Sequence, residues 1–264
     1  MRVMNIFWAL VLGTTQGLTE FFPVSSSAHL YLLPWMFGFP YPGLAFDIAL
    51  HAGTLLAILI AFMLDWKVMA KAVFIKEKSF EKKLVLFLIL TSIPGAIFGY
   101  LLEERATNVF RTPLLTATVL LIFGAILLVV DKYSRGEKEL KDMTATRAFL
   151  VGLSQAIALI PGVSRSGATV TASRALGFNR ETAVKYSFLA AAPIIFGATI
   201  FGLRNVSISE LTSINWAFGF LASLISSYLA MKFLLKYVAK HDFKIFVWYR
   251  VILALIVLLI FLGR

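Results

Sequence analysis

The chain of 264 residues has a formal net charge of +11, no cysteine, and 59% hydrophobic against 15% charged residues. Disulfides and thiolate metal sites are thereby excluded, and a mean hydropathy of +0.86 places the chain with polytopic membrane proteins rather than soluble domains. The basic residues cluster between apolar runs, a pattern that membrane topology explains and that argues against a nucleic-acid partner.

The first apolar region, residues 5–37, follows Arg2 with no small-residue cleavage site and reads as a retained segment rather than a signal peptide. It is broken at Pro23 and at Ser25, Ser26 and Ser27. Residues 44–64, 84–102, 114–130, 186–203, 216–235 and 245–262 are each long enough to span a bilayer, which takes about 17 to 25 apolar residues. A second broken region, 148–176, is interrupted at Pro161-Gly162 and at Ser164-Arg165-Ser166. The pieces after the breaks, 28–37 and 167–176, measure about 15 Å at roughly 1.5 Å per residue. They reach only to mid-bilayer. Each broken region is therefore expected to be a re-entrant helical hairpin whose non-helical tip is buried in protein or lines a wet cavity, with a proline-kinked spanning helix as the plainer alternative.

The expected fold is an all-α polytopic membrane protein, residues 1–264 forming one integral membrane domain of six transmembrane helices and two re-entrant hairpins. Three crossings separate the hairpins, so the second enters from the opposite face. This is an inverted-topology repeat with halves of approximately 1–131 and 147–264, and its discontinuous segments mark the binding site. A faint echo supports it. Pro23-Val24-Ser25-Ser26-Ser27-Ala28 resembles Pro161-Gly162-Val163-Ser164-Arg165-Ser166-Gly167-Ala168, and Gly17-Leu18-Thr19-Glu20 resembles Gly152-Leu153-Ser154-Gln155. Loop charges orient the chain. One side receives Lys67, Lys71, Lys76, Lys78, Lys82, Lys83, Lys132, Arg135, Lys138, Lys141, Arg147, Arg174, Arg180, Lys185, Lys232, Lys236, Lys240 and Lys244. The other receives only Arg2, Arg105, Arg111, Arg204 and Arg264. The positive-inside rule then places both termini and the first hairpin's opening on the outer face of the plasma membrane.

Gln16 and Glu20 are four residues apart, on one helix face, and a carboxylate there can hold a divalent cation or act as acid or base. The bland alternative is a protonated structural glutamate. Ser25, Ser26 and Ser27 precede a helical run, which offers hydroxyls and free backbone N–H groups to an anion. One serine reads as an N-cap and another as a nucleophile, with His29 three residues beyond Ser26 as a base. Arg165, among Ser164, Ser166, Gly167 and Thr169, needs a negative partner inside a membrane, and its planar fork suits phosphate oxygens. A structural ion pair with Glu20 is the competing reading. Asp47, His51 and Gln155 read as supporting residues, and Arg250 as snorkelling from the last span to the cytoplasmic interface.

Gln16 through His29, together with Pro161 through Thr169, resemble the two long motifs of the undecaprenyl-diphosphate phosphatase, or bacitracin-resistance, family, and the resemblance runs over essentially the whole chain. It implies a membrane enzyme that removes the terminal phosphate of a C55 polyprenyl diphosphate, recycles the cell-wall lipid carrier, confers bacitracin resistance and depends on a divalent cation such as Mg or Ca. The family's functional residues map onto Glu20, Ser26, His29 and Arg165, with Ser25, Ser27, Ser164, Ser166 and Thr169 nearby. Many members carry glutamate where this chain has Gln16, which leaves Glu20 to bear the charge of the metal site alone. Both attack by Ser26 with His29 handling the proton and direct attack by water with His29 as base fit the sequence. The expected partners are the lipid diphosphate and membrane lipids, with homo-oligomerisation open. The rivals are a polyprenyl-phosphate flippase or transporter with the same inverted-repeat fold, and an intramembrane serine hydrolase using Ser26 and His29.

Overall fold

The computed structural model describes residues 5–74, 79–102, 110–207 and 213–264. Arg2, Lys76, Lys78 and Arg105, which belong to the loop-charge argument, lie outside the described residues. Eleven α-helices are found among the described residues: α1 (Ile6–Phe21), α2 (Ser26–Phe37), α3 (Leu44–Ala61), α4 (Met63–Phe74), α5 (Phe80–Leu101), α6 (Pro113–Tyr133), α7 (Ala145–Ile157), α8 (Arg165–Ala175), α9 (Arg180–Gly202), α10 (Ile214–Val238) and α11 (Lys244–Leu262).

Six of these helices, α3, α5, α6, α9, α10 and α11, are long and apolar enough to cross a membrane. They coincide with the six stretches expected from hydropathy and extend several of them by a polar turn. The starts are written locally. The side chains of Asn5, Ser79, Thr112, Thr144 and Asn179 accept backbone N–H groups at the beginnings of α1, α5, α6, α7 and α9, and Pro113 occupies the first turn of α6. Helix α4 is not foreshadowed by hydropathy. It is a 12-residue amphipathic helix joined to α9 by an ion pair between Asp65 and Lys185 (2.7 Å).

The two broken regions each form a helix pair that reverses direction. Trp8 at the start of α1 stacks on Phe39, just beyond α2, with ring centroids 4.1 Å apart. Lys138, before α7, forms a backbone bridge with Phe178, beyond α8. Their open ends lie at opposite ends of the bundle. Beside the first, Arg264 lies over Trp35 (4.7 Å); beside the second, Asp131 pairs with Arg174 and Arg180. The tips of the two pairs meet in the middle.

Around this centre α1 and α3 pack on α10, α7 on α5, and α6 on α11. Lipid offers no hydrophobic drive between helices, so close approach through small residues does the work. A Cβ on Gly17 would stand 2.0 Å from Ser226 Oγ and 2.6 Å from the Ser223 carbonyl, and one on Gly152 would stand 2.4 Å from the Thr91 carbonyl. Large apolar side chains such as Leu64, Phe74, Trp248 and Leu259 cover the outside. Gly17→Leu is expected to lower the thermal unfolding midpoint in micelles, by the equivalent of about 1–3 kcal/mol. Gly197→Leu is expected to leave it unchanged, because nothing lies within 4 Å of that site.

Candidate active site

The tips are irregular because they must be. Ser25 (φ 74°) and Ser164 (φ 72°) are the two non-glycine residues with positive φ among the described residues, a conformation that costs on the order of 1–3 kcal/mol and recurs at functional sites. Each caps the helix after it: Ser25 Oγ accepts from the Ala28 N–H and Ser164 Oγ from the Gly167 N–H. Each also contacts the serine two residues on, Ser27 at 3.3 Å and Ser166 at 3.1 Å. One constant offset relates Ser25 to Ser164, Ser26 to Arg165, Gln16 to Gln155 and Gly13 to Gly152. By this offset Gly13 rather than Gly17 stands opposite Gly152, and Pro23 stands opposite Gly162; Gly13, Gly17 and Gly152 each press on a neighbouring backbone.

Backbone groups freed at each tip are satisfied by the other tip or by α11. The Gly162 N–H donates to Ser25 Oγ (3.1 Å), and Ser166 Oγ donates to the Phe22 carbonyl (3.1 Å). Arg250 of α11 donates through Nε to the Pro23 carbonyl (2.5 Å) and through Nη2 to the Val163 carbonyl (3.2 Å). The expectation that Arg250 snorkels to an interface is therefore corrected: its side chain is fully buried. Two buried carbonyls without helical partners are met by a guanidinium, whose planar fork offers a separate nitrogen to each. The small size of Gly167 serves this contact, since a Cβ there would lie 2.4 Å from Arg250 Nη2.

The junction assembles the candidate chemistry. Glu20, on the last turn of α1, is buried. Its Oε2 accepts from Ser26 Oγ (2.5 Å) and Gln16 Nε2 (3.1 Å), and its Oε1 accepts from Arg165 Nη2 (2.9 Å). Arg165 also donates from Nη1 to the Ser187 carbonyl (3.1 Å), while its Nε is buried without a partner. Ser26 and Arg165 are partly exposed, so an incoming molecule can reach them. No carboxylate pairs with Arg250 among the described residues, so Glu20, Arg165 and Arg250 together leave the junction with an excess positive charge.

His29 lies apart from this group. Its Nδ1 is 2.7 Å from the Ser25 carbonyl and its Nε2 is 2.7 Å from the Tyr249 hydroxyl. A carbonyl only accepts, so Nδ1 carries the proton, and in the neutral ring Nε2 accepts from Tyr249. The proton acceptor touching Ser26 is Glu20, not His29. Other expected site residues are committed to structure. Thr169 Oγ1 bonds Ser187 Oγ (2.7 Å) and donates to the Arg165 carbonyl (3.0 Å). Ser25 and Ser166 join the tips as described above, Ser164 caps α8, and Ser27 is exposed. Tyr41 donates to Asp47, and His51 Nδ1 lies 2.7 Å from the Asp47 carbonyl; Gln155 Nε2 donates to the Thr91 carbonyl (2.8 Å), tying α7 to α5. Sequence reasoning passed over Ser187 and Tyr249, whose neighbours no sequence pattern announces.

No group of three or more His, Asp or Glu side chains able to hold a metal is found among the described residues. Gln16 Oε1, however, is buried without a partner beside the Glu20 carboxylate. One carboxylate and one amide oxygen suit a hard cation that arrives with phosphate oxygens and water completing its shell.

Comparison with known proteins places this geometry in context. Residues 9–256 match the family described as Bacitracin resistance protein BacA. An undecaprenyl-diphosphatase of Caldicellulosiruptor bescii is 47% identical over 263 residues, covering 99% of each chain. One from Pelotomaculum thermopropionicum is 45% identical over 263 residues, covering 99% of this chain and 98% of that protein. One from Desulforudis audaxviator is 44% identical over 261 residues, covering 99% and 100% respectively.

Arg250→Lys keeps the charge but has a single nitrogen for two carbonyls. It is expected to destabilise the fold by about 1–3 kcal/mol, the cost of one stranded buried acceptor, read as a drop in thermal midpoint in micelles.

Proposed function

The chain belongs to the bacitracin resistance protein family, and on that footing we propose that it is an integral membrane phosphatase that hydrolyses undecaprenyl diphosphate to the monophosphate and inorganic phosphate. Such an activity regenerates the lipid carrier of cell-envelope synthesis and withdraws the diphosphate that bacitracin sequesters. The observation that carries this reading is the Glu20 carboxylate, with Ser26 Oγ on one oxygen and Arg165 on the other.

In the first step Ser26 Oγ attacks the terminal phosphorus and gives its proton to Glu20 Oε2. The Oγ–P bond forms, the bond from phosphorus to the bridging oxygen breaks, and undecaprenyl monophosphate leaves. Arg165 turns from Glu20 to the phosphate oxygens, so that its positive charge falls on the transferring group as charge develops there, and Glu20 is released to take the proton. Arg250 adds to the positive potential from behind the tips. Water then cleaves the phosphoserine, and the proton passes back to Ser26. His29, by donating to the Ser25 carbonyl while Tyr249 holds its Nε2, fixes the backbone turn that aims Ser26. A divalent cation, held by Gln16 Oε1 and a Glu20 oxygen, would supply neutralisation of the diphosphate charge.

The tip-to-tip contact supports reading both helix pairs as re-entrant, within an inverted repeat of two halves. The distribution of lysine and arginine supports termini on the outer face. Substrate then reaches the tips sideways from the bilayer with its phosphates at the junction.

Ser26→Ala is expected to lower phosphate release from undecaprenyl diphosphate by at least about 100-fold, and Glu20→Gln by about 10²–10⁴-fold, in purified protein without any gradient. A transporter lacking hydrolysis would release none. Arg165→Lys, which retains charge without the fork, is expected to lose about 10²–10³-fold. Acid quench of a single turnover should trap phosphate on Ser26. Its complete absence at every time point would reassign the attack to water.

A further inference from the structure

We propose that the polar recess where α6, α8, α9 and α10 converge, at the open end of the second helix pair, binds the headgroup of an anionic phospholipid. The recess has a volume of about 410 Å³, and its charged lining is Asp131, Lys132, Arg135, Arg174, Arg180 and Glu181. Four cations thus face two acids, and one acid is already spent. Asp131, buried at the end of α6, accepts from Arg174 Nε (2.8 Å) and from Arg180 Nε (3.0 and 3.1 Å).

The two arginines differ in what they have left. Arg174 is buried, and its remaining nitrogens donate to the Phe178 carbonyl (2.6 Å) and the Asp131 carbonyl (3.1 Å). Arg180 gives only Nε to Asp131 and is a third exposed (34%), so its terminal nitrogens stay available. Arg135 is exposed and makes no ion pair among the described residues, and Lys132 is held only over the ring of Tyr133 (5.3 Å). Lys132 and Arg135, which make no ion pair among the described residues, and the terminal nitrogens of Arg180 therefore border a recess of headgroup size, with Glu181 the other acid in its lining.

The surroundings favour a phospholipid over free phosphate. Val129 and Tyr133 are exposed along one face of α6, and Leu229 and Phe233 along α10, the two helices whose C-terminal ends contribute Asp131, Lys132 and Val238 to the recess. A molecule with its phosphodiester among Lys132, Arg135 and Arg180 would lay its acyl chains against these apolar strips. Basic pockets between membrane helices at the water interface take anionic headgroups in this manner, each nearby lysine or arginine adding to the attraction. The occupant would also brace the Asp131–Arg174 contact, and Arg174 is on α8, the helix that begins with Arg165. A lipid here stiffens the hairpin that carries the phosphate-binding arginine.

The test uses the full-length protein in neutral detergent. Native mass spectrometry and thermal unfolding are followed on titration with phosphatidylglycerol, phosphatidylcholine or inorganic phosphate. Phosphatidylglycerol is expected to be retained and to raise the midpoint, and the other two are not. The double variant Lys132→Gln with Arg135→Gln alters two exposed side chains outside the Asp131 ion pairs. It is expected to keep the lipid-free midpoint and to bind phosphatidylglycerol roughly tenfold or more weakly. Arg135→Gln alone serves as the milder variant, with roughly fivefold weaker binding expected. Equal retention of phosphatidylglycerol by the parent and both variants overturns the proposal. So does stabilisation by inorganic phosphate equal to that by the lipid.

Discussion

Buried backbone that leaves the helix loses its internal hydrogen-bond partners and must find others, and this structure answers that constraint by turning two broken helices tip to tip. The Gly162 N–H finds Ser25, the Phe22 carbonyl finds Ser166, and the Pro23 and Val163 carbonyls share Arg250. Neither tip is satisfied alone. Each supplies the polar groups that the other lacks, and α11 contributes the arginine that spans both. The unusual positive φ of Ser25 and Ser164 is stabilised by the same contacts.

The chemistry follows from that arrangement. Joining the tips brings the end of α1 against the start of α8, so Glu20 meets Arg165 across 145 positions of chain. The ion pair is not a closed structural unit, because Ser26 shares the carboxylate, the guanidinium keeps an unpartnered Nε, and Gln16 keeps a free carbonyl oxygen. Buried polar atoms left unpaired are costly. Here they sit together at the junction of the tips, beside the carboxylate that Ser26 and Arg165 share. The separate Arg250 charge, with no acid paired to it among the described residues, makes the junction favour an anion.

The same logic of opposed ends governs the periphery. Arginines at the open end of the second pair are anchored by a single buried aspartate, Asp131, which ties α6 to α8 and α9. Glycine contacts such as Gly17 on α10 and Gly152 on α5 fix the helices that carry the two hairpins. The tips are thus held from both sides of the bundle. Their alignment depends on packing far from the reacting atoms.

Much of this was readable from sequence because it is local. Six apolar runs, the two breaks, and the Ser and Arg residues at those breaks are properties of neighbouring positions, and hydropathy and spacing report them directly. Helix α4 escaped because its 12 residues, with Asp65, Lys67 and Lys71 among them, fall below any spanning pattern. What only the tertiary structure decided is who meets whom. Arg250 reads as an interfacial arginine until the carbonyls of Pro23 and Val163, 227 and 87 positions away, are brought to it. His29 reads as the partner of Ser26 until the turn at Ser25 and the hydroxyl of Tyr249 claim both its nitrogens and Glu20 takes the serine. Sequence determined which groups the membrane would have to tolerate. Pairing them is a matter of long-range packing, because a polar atom in an apolar medium takes the nearest complementary atom in space, whatever its distance along the chain.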